Sequence, residues 1–126
     1  MYPPRKLLVI DFDADSGALL LRSLLRKFPA AAVELCKEAA AATQVVGTRQ
    51  VDAVVLHRTE EEDAVTLVRT LRKMDADIPI IVVSGIDRSE QVLAAGATGF
   101  LNYAEWLMIG QVVSNALQAQ EQGRIA

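Results

Sequence analysis

The sequence lacks the features that mark secreted and membrane proteins. Its 126 residues include one cysteine, Cys36, so no disulfide can form within the chain. The neighbours Val33 and Leu35 are apolar, which indicates a buried and inert thiol. No apolar run approaches the length that spans a membrane, and residues 7–10 are too short for the apolar region of a signal peptide. We therefore expect a cytoplasmic protein without membrane contact.

Basic surface stripes and cofactor motifs are also missing. The formal net charge is -3, and the lysines and arginines are scattered along the chain. This pattern argues against direct binding to nucleic acid or anionic lipid. The sequence has no glycine-rich phosphate loop and no other cofactor fingerprint. We expect no resident cofactor and no enzymatic activity.

The composition is that of one globular domain. Hydrophobic residues make up 52% of the chain, whereas charged residues make up 23% and aromatic residues 5%. These proportions favour a core of Ala, Val and Leu. We expect a single domain over residues 1–126, with an ordered core at about 6–118 and a polar C-terminal tail that frays.

Short apolar runs alternate with amphipathic segments along the chain. The runs are mostly unbroken, as expected for strands buried on both faces of a parallel sheet. Predicted strands cover residues 7–10, 32–36, 53–56, 80–83 and 100–101, and predicted helices cover 18–28, 38–46, 60–71, 89–95 and 105–118. Strands that alternate with helices in this way predict a doubly wound α/β fold.

Polar side chains follow several of the predicted strands. Asp11 and Asp13 come after the first strand, His57 after the third, Ser84 after the fourth and Tyr103 after the fifth. The carboxyl ends of parallel strands meet in one crevice, and open α/β sheets bind their ligands there. These residues therefore form the candidate site.

Four segments resemble the response-regulator receiver domains of two-component signalling. They are LLVID at 7–11, DAVVL at 52–56, PIIVVSG at 79–85 and GATGFL at 96–101, and they occur in the family's order at nearly its spacing. The resemblance extends from about Lys6 to Leu117. It implies the family's CheY-like, flavodoxin-like (βα)5 three-layer sandwich, with a parallel five-stranded sheet in the order 2-1-3-4-5.

The family's phosphotransfer residues are largely replaced in this sequence. Receivers carry two acidic residues after the first strand, a phosphoaccepting Asp after the third, a Ser or Thr after the fourth and a Lys on the fifth. Asp11 matches the first acidic position, and Ser84 retains the hydroxyl. His57 occupies the phosphoacceptor position, and Tyr103 occupies that of the lysine.

The second acidic position holds Phe12, and Asp13 lies one residue beyond it. Mg²⁺ needs oxygen ligands, chiefly carboxylates, and the family's lysine supplies a cation for a phosphate oxygen. The resemblance therefore implies weak or absent Mg²⁺ binding and no aspartyl phosphorylation at position 57. We expect an atypical receiver, or pseudo-receiver, that takes part in signalling through protein contacts and independently of phosphorylation.

Other interpretations of the crevice stay open. The first and third strands are neighbours in the family's order, so we expect Asp11 and His57 within hydrogen-bonding distance, as a pH-sensitive pair. His57 could instead accept phosphate, as in a phosphorelay receiver with unusual phosphorylation. Asp11, Asp13 and His57 could together bind a divalent metal. We expect Ser84 to bond local backbone and Tyr103 to fill the space of the missing lysine.

The last helix is the candidate interaction surface. Receivers commonly bind partners through the fourth helix, fifth strand and fifth helix, and the apolar arc here is wider than one core face needs. Trp106, Met108 and Val112 are the interface candidates. The expected partner is a signalling protein, an output domain or a second copy of the chain. Phe100 matches the family's switch aromatic and is expected to be a structural residue here.

Overall fold

The computed structural model describes residues 4–59 and 63–125, which form a parallel sheet with helices on both faces. The strands are β1 (Lys6–Asp11), β2 (Ala32–Cys36), β3 (Ala53–Arg58), β4 (Ile80–Ser84) and β5 (Gly99–Asn102). The α-helices are α1 (Ala14–Lys27), α2 (Ala39–Gly47), α3 (Ala64–Met74), α4 (Ser89–Ala95) and α5 (Ile109–Ile125). The strand order is β2-β1-β3-β4-β5. The predicted fold and its strand order 2-1-3-4-5 are confirmed.

The alternation of side chains along each strand gives the sheet two apolar faces. In β1, Leu8 and Ile10 belong to one buried cluster, whereas Leu7 and Val9 belong to the other. Helices α2, α3 and α4 cover the first face, and α1 and α5 cover the second. Burial of this apolar area drives the three layers together. Among the described residues, no helix is long and apolar enough to cross a membrane.

Two helices begin directly after aspartates that cap them, at positions that differ from the predicted helix starts. Helix α1 begins at Ala14, earlier than the predicted residue 18, because the side chain of Asp13 accepts two backbone N–H groups of the first turn. Helix α3 begins at Ala64, and Asp63 caps it in the same way. The predicted start of this helix at residue 60 lies outside the described residues.

The described part of the tail after residue 118, for which fraying was expected, belongs to helix α5. Helix α5 runs from Ile109 to Ile125 without a break. The guanidinium of Arg5 pairs with Glu121, and the side-chain amide of Gln120 donates to the backbone oxygen of Asp77 (2.8 Å). Polar side chains thus connect the end of the helix to the body of the protein.

Candidate functional site

The crevice lies at the carboxyl ends of β1, β3, β4 and β5, as the sequence predicted. A cleft of about 450 Å³ opens there, between the connections that follow β1, β3 and β4. Its lining includes His57, Ser84 and Tyr103 of the candidate residues, but neither Asp11 nor Asp13. Of the five candidate residues, three therefore line the cleft, whereas Asp11 and Asp13 do not.

A β-bulge in β3 determines the position of His57. Between β1 and β3 the register advances by two residues on β3 for one on β1, so that Asp11 pairs with Arg58 and His57 is the extra residue. The N–H of Phe12 then donates to the carbonyl of Arg58 (3.1 Å), beyond the bulge. Bulges redirect a side chain and are frequent beside functional sites. The sequence placed His57 after the end of the strand, whereas β3 continues to Arg58.

Asp11 and His57 form a buried pair at this bulge. Nδ1 of His57 lies 2.9 Å from Oδ2 of Asp11, and the two side chains are 4% and 0% exposed. The expected hydrogen-bonding distance is confirmed. A carboxylate accepts the hydrogen bond, so Nδ1 of His57 carries the proton. No fully buried polar side-chain atom of the described residues lacks a hydrogen-bond partner. Nε2 of His57 bonds none of these residues, so it is not fully buried and contacts the cleft that His57 lines.

The carboxylate of Asp11 is occupied by donors from within the protein. The hydroxyl of Ser16 donates to Oδ2, and the N–H of Asp13 donates to Oδ1 (3.0 Å). Burial alone would raise the pKa of Asp11, but the hydrogen bonds from His57, Ser16 and Asp13 bring that pKa below its ordinary value. Asp11 is therefore an ionised and fully partnered group. The sequence analysis did not identify this contact of Ser16 with Asp11.

Asp13 is occupied at the start of α1. Its carboxylate accepts two backbone N–H groups of the first turn at 2.9 and 3.2 Å, and it lies 3.7 Å from the guanidinium of Arg58. In residues 4–59 and 63–125 no three His, Cys, Asp or Glu side chains are grouped closely enough to hold a metal ion. The geometry therefore gives no support to a metal site made of Asp11, Asp13 and His57.

Tyr103 covers His57 from the side of β5. It begins a 3₁₀ helix, Tyr103–Met108, which Asn102 caps by accepting the N–H of Ala104 (2.9 Å). The rings of Tyr103 and His57 stack, with centroids 4.6 Å apart and planes inclined by 5°. Tyr103 thus closes one side of the crevice as the stacking partner of His57, a contact that the sequence did not specify.

Ser84 and Phe100 each contact their local surroundings. The hydroxyl oxygen of Ser84 accepts the N–H of Ile86 (3.1 Å), which confirms the expected bond to local backbone. Phe100 lies opposite Val82 in the β4–β5 pair and packs, partly buried, against the core on the α2–α4 side of the sheet. Phe100 does not line the cleft.

Two arginines at the cleft were missed by sequence reasoning. The guanidinium of Arg58 lies 5.7 Å from the ring centroid of Phe12 and 3.5 Å from Oγ of Ser16. Arg88, in the connection between β4 and α4, also lines the cleft. Its positive charge is one of the causes that hold the pKa of Asp63 below its ordinary value, after the hydrogen bonds from Thr66. The position of Arg58 directly after His57 could have indicated it, whereas Arg88 belongs to no recognisable motif.

The three interface candidates differ in their exposure. Trp106 and Val112 are partly buried against the core between the sheet and α1 and α5. Met108 is 48% exposed, and Leu107, which the sequence analysis did not select, is 58% exposed. Most of the wide apolar arc therefore packs against the core, and the exposed part is at the 3₁₀ helix.

Comparison with known proteins identifies the fold. No family model and no curated protein matches the chain. The signal receiver domain of NarL from Mycobacterium tuberculosis matches with a TM-score of 0.78 at 20% identity, over 92% of this chain and 98% of that one. A CheY-like receiver domain protein from Methanospirillum hungatei matches with a TM-score of 0.80 at 17% identity, over 96% and 99%. A response regulator from Burkholderia pseudomallei, solved with a phosphorylated aspartic acid, calcium ion and citrate, matches with a TM-score of 0.71 at 22% identity, over 93% and 72%. This chain has the fold of response-regulator receiver domains.

Proposed function

We propose that this protein is an atypical receiver domain of two-component signalling that acts through protein contacts, without phosphorylation of an aspartate. The observation that carries the proposal is the buried Asp11–His57 pair beneath Tyr103. By the resemblance to receivers, position 57 corresponds to the phosphoacceptor and position 103 to the lysine. Both positions here hold aromatic rings that stack on each other.

The residues present do not fit the Mg²⁺ ion that receivers use. Mg²⁺ requires an octahedral set of oxygen ligands, and proteins supply it mainly through carboxylates and water. Asp11 already accepts hydrogen bonds from His57, Ser16 and the N–H of Asp13. Phe12 stands at the second acidic position. A cation would have to displace donors that stabilise Asp11, and the nearby described carboxylate of Asp13 is itself occupied as the cap of α1.

The proposed route to a partner is the surface that the resemblance assigns to protein contacts. Leu93 on α4 and Leu107 and Met108 in the 3₁₀ helix are large apolar side chains that the described part of the chain leaves exposed. Interfaces are enriched in such side chains at their centres, particularly Met. The partner would be a signalling protein, an output domain or a second copy.

The phosphorylation step is tested by mass spectrometry of the intact protein. Wild type and His57→Ala are incubated with Mg²⁺ and a small acyl phosphate under conditions that preserve labile phosphates. We expect no phosphate adduct on either protein. A stoichiometric adduct on wild type would contradict the proposal.

A gain-of-function series supplies the matched positive control. Because Phe12 and Tyr103 also depart from the receiver pattern, His57→Asp alone is expected to remain unmodified. The combined variant F12D/H57D/Y103K is expected to acquire a Mg²⁺-dependent adduct, provided that its circular dichroism matches that of wild type. Modification of H57D as strong as that of the triple variant would show that only the missing aspartate prevents the reaction.

One specific observation favours a second candidate function, phosphorylation of His57 itself. Asp11 accepts the hydrogen bond of Nδ1, which leaves Nε2 as the ring nitrogen at a cleft that Arg58 and Arg88 also line. In that case the same experiment would give a wild-type adduct that is lost in His57→Ala and is stable to base but labile to acid. That result would replace the first proposal with the second.

Light scattering over a range of concentrations tests the partner surface. If the partner is a second copy, the mass of wild type rises with concentration, whereas L107S/M108S stays monomeric with unchanged thermal stability. A variant that associates as strongly as wild type would exclude this surface from self-association. A monomer in both cases would leave a signalling protein or an output domain as the partner.

A further inference from the structure

We infer that the cleft at the carboxyl ends of the strands binds a small amphipathic anion, a carboxylate or phosphate ester that carries an apolar group, without a metal ion. The inference goes beyond the proposed function, because it concerns a small-molecule ligand and requires neither a protein partner nor phosphorylation. It rests on the size of the cleft, its apolar wall and the distribution of charge around it.

The size and the wall of the cleft suit a small organic molecule. Its volume of about 450 Å³ lies within the range of roughly 300–1,000 Å³ that is usual for such sites. The buried strand residues Leu56 and Val82 line it, together with the exposed side chains of Phe12 and Ile86. The ring of Tyr103 adds a flat surface that stays fixed by its stacking on His57. An apolar group would therefore be removed from water on several sides.

Of the described carboxylates near the cleft, those of Asp11 and Asp13 do not face it. Asp11 is fully buried and Asp13 caps α1, and neither lines the cleft. Of the acidic side chains in the described residues, Asp63 alone does so. Its carboxylate accepts the N–H of Thr66 (2.8 Å) as the cap of α3. These groups are occupied by the protein, which disfavours a cationic ligand.

Hydrogen-bond donors also line the cleft. Arg88 lines it with a guanidinium that attracts the carboxylate of Asp63 without a direct hydrogen bond between them. Arg58 is 3.7 Å from Asp13, a long contact that leaves other guanidinium N–H groups for a ligand. The oxygen of Ser84 accepts the N–H of Ile86, so its hydroxyl proton remains free to donate. Guanidinium groups bind carboxylate and phosphate oxygens through paired N–H groups.

The described lining of the cleft has a charge opposite in sign to that of the whole chain. This lining carries the two guanidinium groups of Arg58 and Arg88 against the one carboxylate of Asp63, whereas the chain has a formal net charge of -3. A local positive field within an acidic protein attracts anions selectively. The apolar walls and the cationic donors together complement an anion that carries an apolar group.

Three probes of the same shape and different charge test this inference. Benzoate, benzyl alcohol and benzylammonium are titrated separately into the ¹⁵N-labelled full chain and followed by amide chemical shifts. We expect benzoate to shift the signals of Arg58, Gly85 and Ile86 saturably, with a higher affinity than benzyl alcohol and no saturable effect of benzylammonium. Inorganic phosphate is expected to bind more weakly than benzoate because it lacks the apolar group.

Paired arginine variants locate the binding. Arg88→Gln is expected to weaken benzoate binding about five- to tenfold. Arg69→Gln, an exposed change on α3 away from the cleft, is the matched control and is expected to bind as wild type does. Benzylammonium bound as tightly as benzoate, equal losses in the two variants, or no saturable shifts at the cleft would each overturn the inference. A phosphate adduct in the mass-spectrometric experiment would overturn the proposed function and leave this test unchanged.

Discussion

The interior of the sheet and its carboxyl edge both bury side chains, but different interactions stabilise the buried groups in the two regions. In the interior, the buried residues are apolar and need only to be packed at high density. At the edge, Asp11 is buried as completely as its neighbour Ile10, and His57 is 8% exposed. They are stable there because each has a defined hydrogen-bond partner. Stability in the interior therefore depends on apolar area, whereas stability at the edge depends on particular pairs.

The largest effect is expected in the interior. Leu8 is fully buried in the centre of β1, within the cluster on the α2–α4 side. Leu8→Ala should lower the free energy of unfolding by about 2–5 kcal/mol, because it removes buried methyl groups and leaves a cavity. Leu93→Ala, at an exposed leucine, is the control and should change it by less than about 1 kcal/mol. Urea unfolding measures both, and similar losses would contradict the burial of Leu8.

A smaller but specific effect is expected at the edge. Asp11→Asn removes the negative charge that the hydrogen bonds of His57 and Ser16 stabilise. The variant should lose about 1–3 kcal/mol of stability, the usual cost of disturbing a buried bond to a charged group. Asp15→Asn changes an exposed carboxyl nearby and serves as the control. Equal losses in the two variants would show that the buried network contributes nothing of its own.

The same carboxylate should make stability depend on pH. Folding lowers the pKa of Asp11 from an ordinary value of 3.8 because hydrogen bonds outweigh burial. A carboxyl of this kind stabilises the folded state above its unfolded pKa, and the contribution is lost as the pH falls through the folded pKa. Below about pH 4, wild type should therefore lose stability more steeply than Asp11→Asn. Parallel acid-unfolding curves would contradict the lowered pKa.

The smallest effect is expected at Tyr103. Its ring stacks on His57, so Tyr103→Ala should cost about 1–2 kcal/mol, from the lost stacking and partial burial. Tyr103→Phe keeps the ring and should cost less than about 0.5 kcal/mol. Thermal unfolding compares the two. If the phenylalanine variant is as unstable as the alanine variant, the hydroxyl and not the stacking would be responsible.

The difference between interior and edge also explains what the sequence could predict. Unbroken apolar runs such as residues 80–83 identified the buried strands, because a strand buried on both faces needs apolar side chains throughout. The proximity of Asp11 and His57 followed from the strand order that the resemblance implied. These properties depend on the composition of a segment or on topology.

The bulge at His57, the Ser16–Asp11 bond and the role of Arg88 could not be predicted. The bulge is a shift of register between two strands, and neither strand shows it alone. Ser16 has the ordinary sequence signature of helix capping, although its hydroxyl reaches Asp11. Arg88 faces the cleft only because of how the connection after β4 is folded. Each depends on a contact between distant parts of the chain.

Donors of the protein itself occupy the carboxylate of Asp11 in the crevice. We therefore predict that a divalent cation does not bind there. Titration of the ¹⁵N-labelled protein with Mn²⁺, which accepts the same oxygen ligands as Mg²⁺ and broadens nearby signals, tests it most directly. We predict that stoichiometric Mn²⁺ leaves the amide signals of Phe12, Asp13 and Arg58 sharp. Selective broadening of these three signals, reversed by excess Mg²⁺, would contradict the claim.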